Sequence, residues 1–150
     1  MGKHVMYQSI LVPLDGSECA QKALKIAAHL KRRTDASLFL LHVPVKPDIW
    51  NDHRDRVGAT TLGYTPEEVV QYGRQMVERS ASSAALEKDD YTLLATSGDP
   101  ADVILEQAEK LHVDAIFMGR RGMSNVQGLL IGSICQRVSH AAPCPVIVVH

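Results

Sequence analysis

The sequence predicts an α/β domain on a parallel sheet, and three observations carry that prediction. Short apolar runs recur at residues 9–14, 37–43, 91–97, 114–118 and 145–149, separated by helix-period segments. The runs are largely continuous rather than alternating, as strands covered on both faces require. The segments between them can serve as crossovers, and right-handed crossovers place helices on both faces of one sheet.

Each element has its own warrant. Ser9-Ile-Leu-Val-Pro-Leu14 is the first strand, and after Gly16-Ser17 the positions Ala20, Ala23, Leu24, Ala27 and Leu30 share one helical face. Ser37-Leu-Phe-Leu-Leu-His-Val43 is the second strand. The stretch 44–64, with two Pro, two Gly and the single Trp50, is an irregular excursion, far longer than the usual connection of about 4–6 residues. It leaves the carboxyl end of strand two, and reads either as a lid or partner-binding loop or as a plain surface segment. Thr65-Pro66-Glu67-Glu68 then supplies an N-cap, a Pro at N1 and a capping-box Glu. The helix it opens turns Val69, Gly73, Met76, Val77, Ser80 and Ala84 inward. Residues 91–97 form the third strand, and Asp99-Pro100 caps a helix with Ile104, Ala108 and Leu111 on its inner face. The fourth strand, 114–118, runs straight into Gly119; Ser133 starts a short helix through His140, and Pro145-Val-Ile-Val-Val149 is the last strand.

Bulk properties narrow the function classes. A chain of 150 residues with 45% hydrophobic content is one domain long and buries its own core. Sixteen Lys and Arg against 17 Asp and Glu leave a net charge of -1, so there is no basic field for nucleic acid. The start, Met1-Gly-Lys-His-Val-Met-Tyr7, has no long apolar h-region, no stretch approaches transmembrane length, and Met6 stands where a myristoylation motif wants Ser or Thr. A cytoplasmic protein without membrane attachment is expected. Cys19, Cys135 and Cys144 contain no C-x-x-C pair, and no two of the seven His share a helix face at i, i+4. Structural thiols are expected, and a His/Cys metal site has no support.

The segment richest in chemistry is Gly119-Arg-Arg-Gly122, followed after nine residues by Gly132-Ser133. A strand, a glycine-spaced loop and a helix start are the parts of a backbone cradle for phosphate: glycine leaves no Cβ in the way, and a helix start offers open N–H groups. The same glycines would also serve simply to turn the chain. In a parallel sheet with a central first strand, Asp15-Gly16-Ser17 faces this loop across the crevice at the switch point. Asp15 then meets a base amino group or ribose hydroxyl, holds a metal through water, or caps the helix that follows. Arg120 and Arg121 either clamp phosphate or stay solvated, and Ser124 either donates to a terminal phosphate or serves the turn.

Along its whole length the chain resembles the universal stress protein family. The resemblance is carried by Ile10-Leu-Val-Pro-Leu-Asp-Gly-Ser17, Ser97-Gly-Asp-Pro-Ala-Asp102, Phe117-Met-Gly-Arg-Arg-Gly122, Gly132-Ser133 and Pro143-Cys-Pro-Val-Ile-Val-Val149. The spacing of Gly119, Gly122, Gly132 and Ser133 is similar to that of the family's ATP-binding members. What the resemblance implies is a single three-layer domain over residues 1–150, with an open five-stranded sheet in the order 3-2-1-4-5. It implies an adenine near Pro13, Asp15 and Val43 with Met118 beneath, and phosphates against Gly119, Gly122, Gly132 and Ser133, with the Ile134 amide next. The ligand would be ATP, AMP or another adenine nucleotide, with or without Mg2+ or Mn2+, no residue being assigned to the ion. It further implies a homodimer through Pro145 to Val149, which would also cover an edge strand of pure Val and Ile, and an unidentified protein partner.

Turnover is poorly equipped: there is no Walker G-K-[S/T] and no kinase-like lysine pattern, both of which phosphoryl transfer commonly uses. Nucleotide retention, with at most slow hydrolysis, is the expected behaviour. An enzyme on the ATP-pyrophosphatase scaffold would want more than the one glycine of Asp15-Gly-Ser-Glu18. A nucleotide-independent or chaperone-like member would lack the intact glycine spacing.

Overall fold

The computed structural model describes residues 7–44, 66–122 and 131–150. Among them run strands β1 (Ser9–Pro13), β2 (Ser37–His42), β3 (Thr92–Ala95), β4 (Ala115–Gly119) and β5 (Val146–Val149). All pair in parallel, in the order β3-β2-β1-β4-β5. Helices α1 (Glu18–Thr34) and α2 (Pro66–Ser83) cover one face, α3 (Pro100–Lys110) and α4 (Ser133–Ala141) the other. The three-layer, doubly covered sheet is the one the sequence predicts.

Two-sided burial explains the continuous apolar runs. Ile10, Val12, Leu38, Leu40, Ala115 and Phe117 point into the α1/α2 layer, whereas Leu11, Leu41, Ile116 and Met118 point into the α3/α4 layer. Neighbouring residues of a strand therefore serve different cores. Burying each such Leu, Ile or Val contributes about 1.5–3 kcal/mol, so both layers hold the sheet.

The ends differ from the sequence reading for local reasons. β3 stops at Ala95 because its partner β2 stops at His42, the last register pair being His42↔Ala95. Asp114 lies outside β4: its carboxylate accepts the amides of Gln8 and Ser9 at 2.8 and 3.0 Å and so starts β1. α1 runs past Leu30 to Thr34, where Asp35, at φ 61°, turns its N–H back to Lys31 O. Leu111 is the C-cap of α3 and packs, half-buried, against the same core as Ile104 and Ala108. The turn Lys88–Asp90 is a 3-10 element that apolar periodicity does not announce. The excursion with Trp50, the Thr65 N-cap, Ser124 and the side chain of Val69 lie outside the described residues.

The ladder between β1 and β4 holds only the pairs Ile10↔Ala115 and Leu11↔Ile116. By contrast, β1 follows β2 as far as Pro13↔Leu41, and β4 follows β5 as far as Gly119↔Val149. The sheet thus forks at its switch point, with the carboxyl ends of β1 and β4 on either side.

On the α3/α4 side, Arg137 of α4 forks onto the first turn of α3. Its Nη1 donates to Asp99 Oδ1 at 2.9 Å and its Nη2 to Asp102 Oδ1 at 2.6 Å. Asp99 is the N-cap of α3, and its Oδ1 also accepts the Asp102 amide at 3.1 Å. That backbone bond, reinforced by the guanidinium, holds the Asp99 carboxyl below the usual range. A depressed folded value means that the contribution is complete above the unfolded value of about 3.9 and is lost as pH falls through the folded one. R137Q is therefore expected to flatten the acid limb of the stability curve. Urea unfolding across the acid range checks this, and an unchanged acid limb in R137Q would show that the fork contributes nothing.

Candidate functional site

The fork gathers the residues singled out from the sequence. Beyond β1, Asp15 is exposed, Gly16 turns the chain at φ +84°, and Ser17 is the N-cap of α1. The cap is Ser17 and not Asp15: Ser17 Oγ accepts the Ala20 amide at 3.2 Å. The Asp15 carboxylate instead closes a small turn, Oδ1 accepting the Ser17 amide at 2.8 Å. A short acidic side chain so tied to the next backbone amide but one is a common turn device, and it leaves Oδ2 open toward β4.

Across the fork, Gly122 meets that oxygen: a Cβ on Gly122 would stand 2.8 Å from Asp15 Oδ2. The facing of Asp15 and the glycine loop is present in the structure. Gly132 closes the third side, its amide donating to Arg120 O at 2.8 Å. As the N-cap of α4 it has no side chain to bond the first turn. The Ser133 and Ile134 amides therefore begin a helix without a side-chain cap, next to the loop that carries Gly122. Ser133 is exposed and Ile134 half-buried.

The glycines owe their places to close approach rather than to unusual backbone angles. Among the described glycines, only Gly16 and Gly98 have positive φ. Gly119 packs against the start of α1, where a Cβ would lie 2.7 Å from Ala20 N and 2.8 Å from Cys19 C. At Gly132 a Cβ would stand 3.3 Å from Arg120 O.

The apolar members sit behind this polar rim. Val43 and Met118 belong to one buried cluster in the α3/α4 layer, and half-buried Pro13 ends β1. Arg120 and Arg121 are half-buried, each with a buried Nε that has no hydrogen-bond partner among the described residues. Among the described residues no group of three or more His, Cys, Asp or Glu side chains converges. Burial raises the thiol pKa of Cys135, and burial with Asp114 nearby raises that of Cys144, so neither is poised as a thiolate.

The sequence profile described as Universal stress protein family matches residues 6–150. The chain belongs to the universal stress protein family. Universal stress protein YxiE of Bacillus subtilis (strain 168) is 31% identical over 152 residues, covering 96% of this chain and 99% of its own. Among solved structures, the hypothetical protein MJ0577 superposes with a TM-score of 0.75 at 27% identity, over 96% of each chain. A universal stress protein in complex with cAMP gives 0.65 at 23% identity, over 96% of this chain and 97% of its own. The Archaeoglobus fulgidus universal stress protein in complex with dAMP gives 0.61 at 21%, over 97% and 99%. At those identities the last two speak to the fold.

Two groups of this universal stress protein escape a sequence reading. Arg137 looks like any exposed helix cation until the fold brings it to Asp99 and Asp102. His42 looks like one more residue of a buried strand, although it is 8% exposed and bonded to the Leu14 carbonyl. The one available signal for it is Gly73, an unfavourable residue inside α2.

Proposed function

We propose that this universal stress protein is a binding module for an adenine nucleotide, held in the fork between β1 and β4, with ATP as the ligand. The observation that carries the reading is the meeting of two features: Asp15 Oδ2 opposite Gly122, and the uncapped start of α4 brought to the same loop by Gly132. A carboxylate accepts from the amino or hydroxyl groups of a nucleoside, while open helix amides donate to phosphate oxygens. Two neighbours on the same fold, solved with cAMP and dAMP, support that chemistry. Pro13, Val43 and Met118 supply the apolar side for adenine, and Gly119, Gly122, Gly132, Ser133 and Ile134 the phosphate side. The unpaired Nε atoms of Arg120 and Arg121 favour an anion there. Asp15 has one carboxylate oxygen to offer Mg2+ or Mn2+, which suits an ion held chiefly by phosphates and water.

The function is retention and signalling in the cytoplasm rather than turnover, the bound nucleotide favouring one conformation for a protein partner to read. The protein works as a homodimer paired through Pro145 to Val149, a reading supported by β5 lying at the sheet edge with half-buried Val and Ile. Among the described residues no helix is long and apolar enough to cross a membrane.

The test is release of bound small molecules from the purified protein for mass analysis, together with calorimetric titration of ATP, AMP and cAMP. Nucleotide in the released fraction and saturable ATP binding are expected, with D15A binding about tenfold more weakly, or 1.4 kcal/mol. No released nucleotide and no binding heat would leave the protein-contact reading. Steady turnover abolished by D15A would make the protein an enzyme.

A further inference from the structure

We propose that His42 is a positioning residue for this crevice, acting through the Leu14 carbonyl to fix the backbone that presents Asp15. His42 ends β2 with its side chain in the α1/α2 layer, and its Nδ1 lies 2.7 Å from Leu14 O. A carbonyl oxygen only accepts, so Nδ1 carries the proton and donates. The Leu14 amide in turn donates to Leu41 O at 2.7 Å. Both backbone groups of Leu14 are thus tied to β2, one residue beyond the end of β1. If the parallel ladder continued, Val43 N–H would serve the Leu14 carbonyl. The imidazole takes that place, which lets β2 end while Leu14 stays held.

Asp15 therefore sits between two fixed points. Leu14 is anchored on one side, and on the other the Ser17 amide is bonded to Asp15 Oδ1 at 2.8 Å, with Gly16 between them. If the first anchor loosens, the carboxylate loses its register against Gly122. An imidazole serving only as filler would not need this bond, and an apolar side chain would fill the space without a buried polar group to satisfy.

A second position is shaped around the same ring. Gly73 lies in α2, and a Cβ there would stand 2.7 Å from His42 Cδ2. Glycine is among the worst residues for a helix interior. Its presence there leaves room for the imidazole to stay where it reaches Leu14. Positions 42 and 73 are far apart in the chain and meet at one imidazole ring.

The ligand side of this inference rests on the function proposed above; the backbone side does not. H42N keeps a donor two bonds beyond Cβ, where Nδ1 stands, whereas H42L fills the space without one. H42L is expected to bind ATP about tenfold more weakly and H42N within about twofold of the parent, the difference one neutral hydrogen bond makes. In nucleotide-free protein, the Ser17 amide of H42L should exchange with solvent about tenfold faster than in the parent, with amides in the middle of α1 unchanged. G73A, which presses the ring away from Leu14, should speed Ser17 exchange in the same direction and keeps the measurement decisive if H42L does not fold. Equal impairment in H42N and H42L, or parental Ser17 exchange in H42L and G73A, would overturn the proposal. Absence of nucleotide binding by the parent would refute the proposed function alone, and Ser17 exchange would still decide the role of His42.

Discussion

Gly119→Ala is expected to destabilise the protein by about 3 kcal/mol, the upper end of what overpacking costs. The added methyl would meet Ala20 N at 2.7 Å and Cys19 C at 2.8 Å, both backbone atoms in the first turn of α1. Neither is the tip of a flexible side chain, so β4 and α1 would have to part. Urea denaturation reads the effect as a lowered midpoint with an unchanged slope, and a parental midpoint would mean that strand and helix have slack between them. Gly122→Ala makes the useful contrast, because among the described residues its methyl would meet only Asp15 Oδ2. Its stability should stay near the parent's, although it stands in the same motif.

Gly132→Val should reduce nucleotide affinity by about a hundredfold, or 2.7 kcal/mol. The N-cap of α4 has no side chain over the first turn, and a Cβ there would already stand 3.3 Å from Arg120 O. A β-branched residue brings methyl groups to the mouth of the helix and pushes Arg120 aside. The damage falls on the proposed phosphate side of the crevice, since the α4 core contacts of Cys135 and Val138 lie on the buried face. Calorimetry with ATP measures the loss, and parental affinity in the valine variant would remove α4 from the site. The proposed pairing through β5 should survive the change, which sedimentation would show.

The fold was legible because both cores print themselves on the strands. A run such as Ile10-Leu-Val12 is apolar at every position only when each face meets helices, and that restricts the layer arrangement before any contact is known. The strand order came from family likeness, since periodicity cannot say whether β4 lies beside β1 or at the edge. The glycine loop was legible as a motif and less so in its reasons. Positive φ is the usual warrant for glycine, yet Gly119, Gly122 and Gly132 are placed by atoms that approach from α1, Asp15 and Arg120. Such approaches are tertiary and leave no local trace. Asp15 was readable as a polar residue after a strand; that Ser17 takes the cap while Asp15 turns its second oxygen outward depends on the angle at Gly16. His42 and Arg137 stayed hidden because their partners are distant in sequence.

The fork in the sheet has a mechanical consequence. Strands β3, β2 and β1 form one leaf and β4 with β5 another, and the two are stitched by two register pairs at the end away from the crevice. Beyond those two pairs the leaves are joined through α1, whose first turn packs against Gly119 at the mouth of the crevice. A ligand touching both leaves acts as a rivet across it, adding its binding free energy where the ladder is thinnest. Occupancy would then be felt as stiffness between the leaves, and the outer edge at β5 would carry that change to whatever is docked on it.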